Sequence, residues 1–246
     1  MLWLMFPSYN ERENLISLLP EIDAFLKNRI DEYHALIIDD GSTDSTRNIR
    51  EDIKTSLPIS IISHEKNKGI GKVFQTGFSE ILRVAGKDDL LIVLEADGTS
   101  DYSLIPAIVE KLKSGHDIVI ASRYIPGGAY RNFPFKRHMI SLLGNFMLRA
   151  AFMNKKTTDY TIFYRGYRIG LLRKAMSEYR NNFITSDSFL ANTEVLVNLF
   201  PLTKKIHEIP FVYSYDRKKG HSKMPITKTL IDHIRFVLTK GFRRLP

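Results

Sequence analysis

The sequence predicts an α/β fold, a doubly wound and mostly parallel sheet with helices on both faces. Three observations carry that reading. Short apolar runs, β-branched in all but the first, recur at residues 2–6, 35–38, 59–63, 90–94 and 118–121, as strands covered on both faces require. Segments of helical period lie between them, which is the alternation of a doubly wound sheet. Acidic clusters follow three of the runs: Asn10-Glu11, Asp39-Asp40-Gly41-Ser42 and Glu95-Ala96-Asp97-Gly98. The carboxyl ends of parallel strands form the ligand crevice of such sheets.

Taken in order, residues 2–6 form the first strand. Residues 13–29 form a helix, with Leu15, Leu18, Leu19, Ile22 and Leu26 at helical spacing. A strand at 35–38 leads to a helix at 45–54 with Asp44 as its cap. A strand at 59–63 precedes the turn Asn67-Lys68-Gly69-Ile70-Gly71-Lys72 and a helix at 70–85. That turn lacks the spacing and the Ser/Thr of a nucleoside-triphosphatase phosphate loop, so it reads as a tight entry into a helix. A strand at 90–94, a helix at 103–113 and a strand at 118–121 follow. Residues 124–134 hold Pro126, Gly127, Gly128 and Pro134 and read as a long loop. Residues 135–153 form an apolar and basic helix. Strands at 164–169 and 206–213 flank a helix at 187–200. Residues 216–223 are a basic loop and 225–243 a final helix. The expected division is a catalytic domain over 1–224 and an amphipathic, interfacial helix within 225–246.

Composition narrows the function. A chain of 246 residues with 43% hydrophobic and 26% charged residues buries a substantial core. The absence of cysteine excludes disulfides, thiolate zinc sites and cysteine nucleophiles. A net charge of +9 leaves nucleic acid, an anionic membrane face and a phosphorylated substrate as partner classes. No apolar run reaches the roughly 20 residues of a membrane span. The opening Met1-Leu2-Trp3-Leu4-Met5-Phe6 lacks the basic flank and length of a signal peptide. A cytoplasmic protein, peripheral at a membrane face, is the expectation.

Each candidate motif has a plain alternative. Pro7-Ser8-Tyr9-Asn10-Glu11 places Tyr9 and Glu11 near a base or ribose, or is a turn into a helix that Asn10 caps. Asp39 and Asp40, followed by Gly41, exceed what a turn needs and suit a nucleotide base or ribose. Glu95 and Asp97 are two apart, so in extended chain they face one side. Such oxygen ligands suit Mg²⁺ or Mn²⁺ bridged to phosphate, and the alternative is a solvated acidic turn. Arg123, Arg131 and Arg137 follow the fifth strand, where arginines hold a diphosphate or an acceptor phosphate, or make a solvated basic surface. The loop from Asp216 to Lys223 closes over a phosphorylated ligand or is a solvated charge run.

Together these segments resemble the glycosyltransferase family 2 enzymes of GT-A fold, and within them the dolichyl- or polyprenyl-phosphate mannosyltransferases and their glucosyl relatives. The resemblance spans residues 6 to about 236. It rests on Pro7-Ser8-Tyr9-Asn10-Glu11, Ile38-Asp39-Asp40-Gly41-Ser42-Thr43-Asp44, Glu95-Ala96-Asp97-Gly98 and Ser122-Arg123-Tyr124. It continues through Arg137, Ser141 and Asn145 at four-residue spacing, Asp159-x-Thr161, Glu208-x-Pro210 and Arg217-x-x-Gly220-x-Ser222-Lys223. The chain departs from the family pattern at Glu95, where Asp is usual, at Ile162 and Phe163, where small residues are usual, and at Phe133.

The resemblance implies that Pro7, Tyr9, Glu11 and Asp40 hold the nucleotide and that Glu95 and Asp97 hold the metal. It implies that Arg123, Arg137 and Ser141 grip phosphates, that Arg217 and Lys223 close the site, and that Glu194 lies near the sugar. Asp97, Arg123 and Arg137 would be the catalytic set. The implied reaction moves a hexose from GDP-mannose or a UDP-hexose to a polyprenyl or dolichyl phosphate, with inversion. The implied partners are the nucleotide sugar, the lipid phosphate, an anionic membrane surface and a membrane protein on which a chain without a span would rely. Two rivals stand beside it. A family 2 transferase acting on a sugar hydroxyl needs a carboxylate base, for which Asp159, Asp187 and Glu194 are candidates. A basic nucleic-acid-binding protein is disfavoured, because acidic strand ends repel phosphate and aromatics are sparse in the basic stretches.

Overall fold

The computed structural model describes residues 1–217 and 225–241. Its strands are β1 (Leu2–Ser8), β2 (Tyr33–Asp39), β3 (Ile59–Ser63), β4 (Leu90–Val93), β5 (Ile118–Ser122), β6 (Ala129–Arg131), β7 (Arg165–Arg168), β8 (Ile206–Pro210) and β9 (Val212–Ser214). Seven form one sheet in the order β3-β2-β1-β4-β7-β5-β8, and β6 pairs with β9 in a small second sheet. The helices are α1 (Arg12–Leu26), α2 (Ile70–Val84), α3 (Ile105–Lys113), α4 (Phe135–Phe152), α5 (Ile169–Tyr179), α6 (Leu190–Leu199) and α7 (Ile226–Phe236).

The apolar runs became strands because the sheet interior has no place for a polar face. Leu4, Met5, Phe6, Leu36, Ile37, Ile38, Ile92 and Val93 are all fully buried. β1 pairs in parallel with β2 on one side and β4 on the other. The strand order therefore reverses direction at β1, and a crevice opens beyond the carboxyl ends of β1 and β4. That crevice receives Pro7–Glu11 from one strand and Glu95–Asp97 from the other.

β7 runs antiparallel between β4 and β5. The fully buried Arg165 fixes its start, donating from Nη1 to the Asn192 carbonyl at 2.8 Å and from Nη2 to the Tyr160 carbonyl at 2.7 Å. Both acceptors are backbone oxygens, so the buried guanidinium is held by main chain on two sides.

Several local expectations are corrected. Residues 45–54 form only a 3₁₀ turn over Thr46–Glu51. Asp44 does receive the Thr46 amide at 3.0 Å, but its other oxygen accepts the Arg12 amide at 3.1 Å, so one carboxylate serves the first turns of two helices. Asn10 does not cap α1; its side chain accepts the Thr43 amide at 2.8 Å and so joins the first two acidic loops. The loop at 124–134 contains β6, held by β9. α5 was not expected at all. α7 ends at Phe236 and continues as a π turn over Val237–Gly241. No helix among the described residues is long and apolar enough to cross a membrane.

Candidate active site

Two adjoining cavities occupy the crevice. The first, of about 410 Å³, is lined by Pro7, Tyr9, Glu11, Asp40 and Gly69, with Asp187, Phe189 and Lys228 opposite. Its size suits a ligand of nucleotide scale. Asp40 is buried and heavily engaged: Oδ1 meets His64 Nδ1 at 2.7 Å and the Lys68 amide at 2.9 Å, and Oδ2 accepts the Gly69 amide at 2.9 Å. Asp40 thus pins the Lys68–Gly69 turn against the cavity. Gly69 sits at φ +88° with the Asp187 carbonyl oxygen 2.3 Å from where a Cβ would be, so only glycine fits there.

The second cavity, of about 240 Å³, is lined by Arg123, Arg137, Ser141, Thr161, Tyr213 and His233. Glu95, Asp97, Phe163 and Phe189 line both cavities. The acid pair and the aromatic pair are therefore the boundary that any group passing between the cavities must meet.

The acid pair is set by its own turn. Glu95 Oε2 accepts the Ser100 hydroxyl, while the Ser100 Oγ accepts the Glu95 amide at 3.1 Å. Asp97 Oδ1 accepts the Thr99 amide at 3.1 Å and the Thr99 hydroxyl at 2.5 Å. Burial, with the neighbouring Asp97 charge, pushes the Glu95 carboxyl up from its ordinary range. Among the described residues no group of three or more His, Cys, Asp or Glu side chains could hold a metal ion. Two hard carboxylates at the junction of the two cavities still fit Mg²⁺ or Mn²⁺, since such ions are held by one or two carboxylates plus substrate phosphates and waters.

Arg123 is half committed before any ligand arrives. Its Nε donates to Asp159 Oδ2 at 2.7 Å, and Nη2 donates to Asp159 Oδ1 at 2.7 Å and to Thr161 Oγ1 at 2.8 Å. Burial disfavours both charges. The pairing outweighs it, raising the guanidinium and lowering the Asp159 carboxyl. Rings of Tyr130 and Tyr124 lie 5.1 and 5.4 Å from the guanidinium carbon, within cation–π range. Nη1 has no hydrogen bond among the described residues. Ser141 joins Tyr124 and Tyr130 in a ring of three hydroxyls at 2.8 to 2.9 Å. Arg137, one turn before Ser141 on α4, is half-buried and has no ion-pair partner among the described residues.

Other expected residues lie elsewhere. Asp39 is fully buried, accepts the Ser42 amide at 3.1 Å through Oδ1 and does not line either cavity. Glu194 lines neither cavity. Arg217 closes a 3₁₀ turn, Tyr215–Arg217. Lys223 lies outside the described residues. Among the lining residues that were not expected, Lys228, Thr229, Leu230 and His233 all come from α7. His233 is buried, with Nδ1 2.7 Å from the Thr229 carbonyl and Nε2 3.0 Å from Thr193 Oγ1. No sequence signal marks these four, since their role depends on where the terminal helix docks. The Tyr124 and Tyr130 hydroxyls were missed because it is the packing of α4 that brings their partner Ser141 to them.

The outer surface adds one more feature. α4 turns Arg137, Ser141 and Gly144 toward the second cavity. Its other side exposes Phe135 (75%), Leu143 (62%) and Phe146 (70%), with Met139 and Leu142 among them. α7 packs inward through His233 and Phe236 and exposes Ile231 and Ile234, and the π turn after it exposes Leu238.

Comparison with known proteins gives this geometry a family. The chain is 30% identical over 234 residues to the dolichol-phosphate mannosyltransferase of Pyrococcus furiosus, covering 95% of this chain and 62% of that one. It therefore spans less than two thirds of that relative. It is 28% identical to the polyprenol monophosphomannose synthase of Mycolicibacterium smegmatis, over 90% of this chain and 80% of that protein. In structure it resembles glucosyl-3-phosphoglycerate synthase from Mycobacterium tuberculosis in complex with Mn²⁺, UDP and glucosyl-3-phosphoglycerate. The TM-score is 0.66 at 14% identity, covering 96% of this chain and 79% of that one. That likeness supports the α/β GT-A fold. The model of glycosyl transferase family 2 matches residues 4–176, and the chain belongs to that family.

Proposed function

We propose that this chain transfers a hexose from a nucleotide sugar to a polyprenyl phosphate at a membrane face. The observation that carries the reading is the shared boundary: Glu95 and Asp97 line both a nucleotide-sized cavity and a basic second cavity. The relatives named for dolichol- and polyprenol-linked mannose support the acceptor class.

In this mechanism Pro7, Tyr9, Glu11 and Asp40 hold the base and ribose. Glu95 and Asp97 would hold Mg²⁺ or Mn²⁺, which when bound would supply Lewis-acid stabilisation of the diphosphate. Arg137, Ser141 and the remaining Arg123 donor hold the acceptor phosphate. A phosphate oxygen attacks the anomeric carbon, the bond from that carbon to the nucleoside diphosphate breaks, and the diphosphate leaves with the electron pair. The sugar inverts. The acceptor is already ionised near neutral pH, its second pKa being about 6, so no general base is required. Two of the three base candidates of the sugar-hydroxyl reading are otherwise engaged: Asp159 binds Arg123, and Glu194 binds backbone amides. This favours the phosphate acceptor.

The exposed apolar faces of α4 and α7 would seat on the bilayer. The stripe on α4 lies across the helix from Arg137 and Ser141, so an embedded α4 brings the second cavity to the headgroup level. The test offers the full chain polyprenyl phosphate, free polyprenol and a soluble oligosaccharide with the same labelled donors. Transfer only to the phosphate supports the proposal, and transfer to the oligosaccharide alone overturns it.

A further inference from the structure

The donor-side wall is built by a segment without regular structure. Asp187, Ser188 and Phe189 line the larger cavity, yet they precede α6 in an irregular stretch that needs an anchor. Glu194 supplies it from α6. This carboxylate is 1% exposed. Its Oε2 accepts the backbone amides of Thr185 at 2.8 Å and Ser186 at 3.0 Å, and Oε1 accepts the Thr185 hydroxyl at 2.6 Å. Charge-assisted bonds of this kind are about twice as strong as neutral ones.

The anchored loop in turn presses on the turn held by Asp40. The Gly71 amide donates to the Asp187 carbonyl at 3.3 Å. A Cβ at Gly71 would lie 1.7 Å from the Ser186 carbonyl oxygen, so the two backbones meet with no side chain between them. Lys68 and Gly69 amides then close on Asp40. Glu194, the 185–188 loop, the Gly69–Gly71 turn and Asp40 form one row of direct contacts along the cavity. The row continues outward. Lys240, on the π turn after α7, places Nζ 3.3 Å from Glu194 Oε1 and 3.4 Å from Asn198 Oδ1. Two residues away, Leu238 is exposed.

We propose that Glu194 is a positioning residue for the nucleotide-sugar donor, holding the 185–188 loop against the Gly69–Gly71 turn, and that Lys240 ties the seat of the C-terminal helix to that same wall. The proposal rests on the reading that the larger cavity receives the nucleotide. It gives the terminal helix a second role: seating it on a surface acts on the donor side as well as the acceptor side. The route is a contiguous set of packed and hydrogen-bonded groups.

The test uses the full chain and two variants. Glu194→Gln keeps the side-chain shape but removes the charge and one acceptor. Lys240→Met leaves the loop's hydrogen bonds intact and removes the tie to the terminal helix, together with the ammonium over the Phe236 ring. Calorimetry with GDP and with UDP in Mn²⁺ reads donor-side affinity. Binding of a short polyprenyl phosphate reads the acceptor side, and hydrogen exchange reads the loops. Glu194→Gln should weaken nucleoside diphosphate binding about tenfold, the scale of a lost charge-assisted hydrogen bond. It should also speed exchange in residues 67–71 and 185–189 while acceptor binding holds. Lys240→Met should move the same two readouts in the same direction, by less. Unchanged affinity with unchanged exchange at 67–71 in a folded Glu194→Gln protein overturns the proposal, as does equal loss of donor and acceptor binding. If the unaltered chain binds neither GDP nor UDP, the donor reading fails, while the exchange data still judge Glu194's hold on the turn.

Discussion

Replacing Asp159 by Asn should destabilise the protein severely, because of what the carboxylate holds. Asp159 is 0% exposed and accepts five donors: the Arg123 amide, Nε and Nη2, and the amides of Thr161 and Ile162. An amide in its place turns an NH₂ group toward some of those donors and leaves the Arg123 charge buried without a counter-ion. Breaking one side of a buried pair costs about 3–5 kcal/mol. A typical domain has only about 5–15 kcal/mol in total. Urea unfolding followed by fluorescence of Trp3, the single tryptophan and a core residue of β1, reads the loss. The double variant Arg123→Gln with Asp159→Asn removes both charges and should recover part of it, with a coupling energy of about 1–3 kcal/mol. The pairing with Arg123 overrides burial and holds the Asp159 carboxyl below its ordinary 3.8. Its contribution is therefore complete above that pH and lost as pH falls beneath it, where variant and parent should converge. A single-variant loss below about 1 kcal/mol, the range of an exposed pair, would refute the reasoning.

The remaining predictions concern the site and its surface. Chelation should abolish transfer, Mn²⁺ or Mg²⁺ should restore it, and Asp97→Asn should stay folded yet inactive by circular dichroism and product assay. Arg137→Ala should raise the acceptor KM by at least about tenfold while calorimetric binding of nucleoside diphosphate is unchanged; equal loss of both would move Arg137 to the donor side. Leu143→Glu with Phe146→Glu should release the chain from anionic vesicles in co-sedimentation, and binding by the unaltered chain should weaken with salt, since exposed charges are screened over roughly 8 Å at physiological strength. Burial holds the His233 imidazole neutral, below its ordinary 6.5. The unfolded chain thus takes up the proton first, and melting temperature should fall as pH drops below 6.5. His34 and His207 shift the same way, so His233→Gln should remove only part of that slope.

What was legible in the sequence was local. Continuous apolar runs end where acidic residues begin, and that pattern located β1, β2 and β4 and the carboxylates at or just beyond their ends. Family motifs carried Arg123, Arg137 and Ser141 to the same region, and all three line the second cavity. The misses share a cause in long-range pairing. The direction of β7 is set by partners on β4 and β5, and nothing within Arg165–Arg168 encodes it. α5 hides because it begins at Ile169, directly after the last residue of β7, with no turn residue between strand and helix. Arg123 reads as a wholly free guanidinium until Asp159, 36 residues away, takes two of its nitrogens and leaves Nη1. Glu194 reads as a site acid until the 185–186 amides fold onto it. The amphipathic pattern of α7 was visible, but amphipathicity does not say which cavity the inner face will complete.

The most direct measurement is the mass and anomeric configuration of the lipid product. The full chain is incubated with Mn²⁺, a short polyprenyl phosphate and, in separate reactions, GDP-mannose and UDP-glucose. The account predicts a hexosyl polyprenyl phosphate from at least one donor, formed in equal amount with the nucleoside diphosphate, with the sugar in the configuration opposite to that in the donor. A lipid product of retained configuration, or donor cleavage to free hexose with no lipid product, would contradict it.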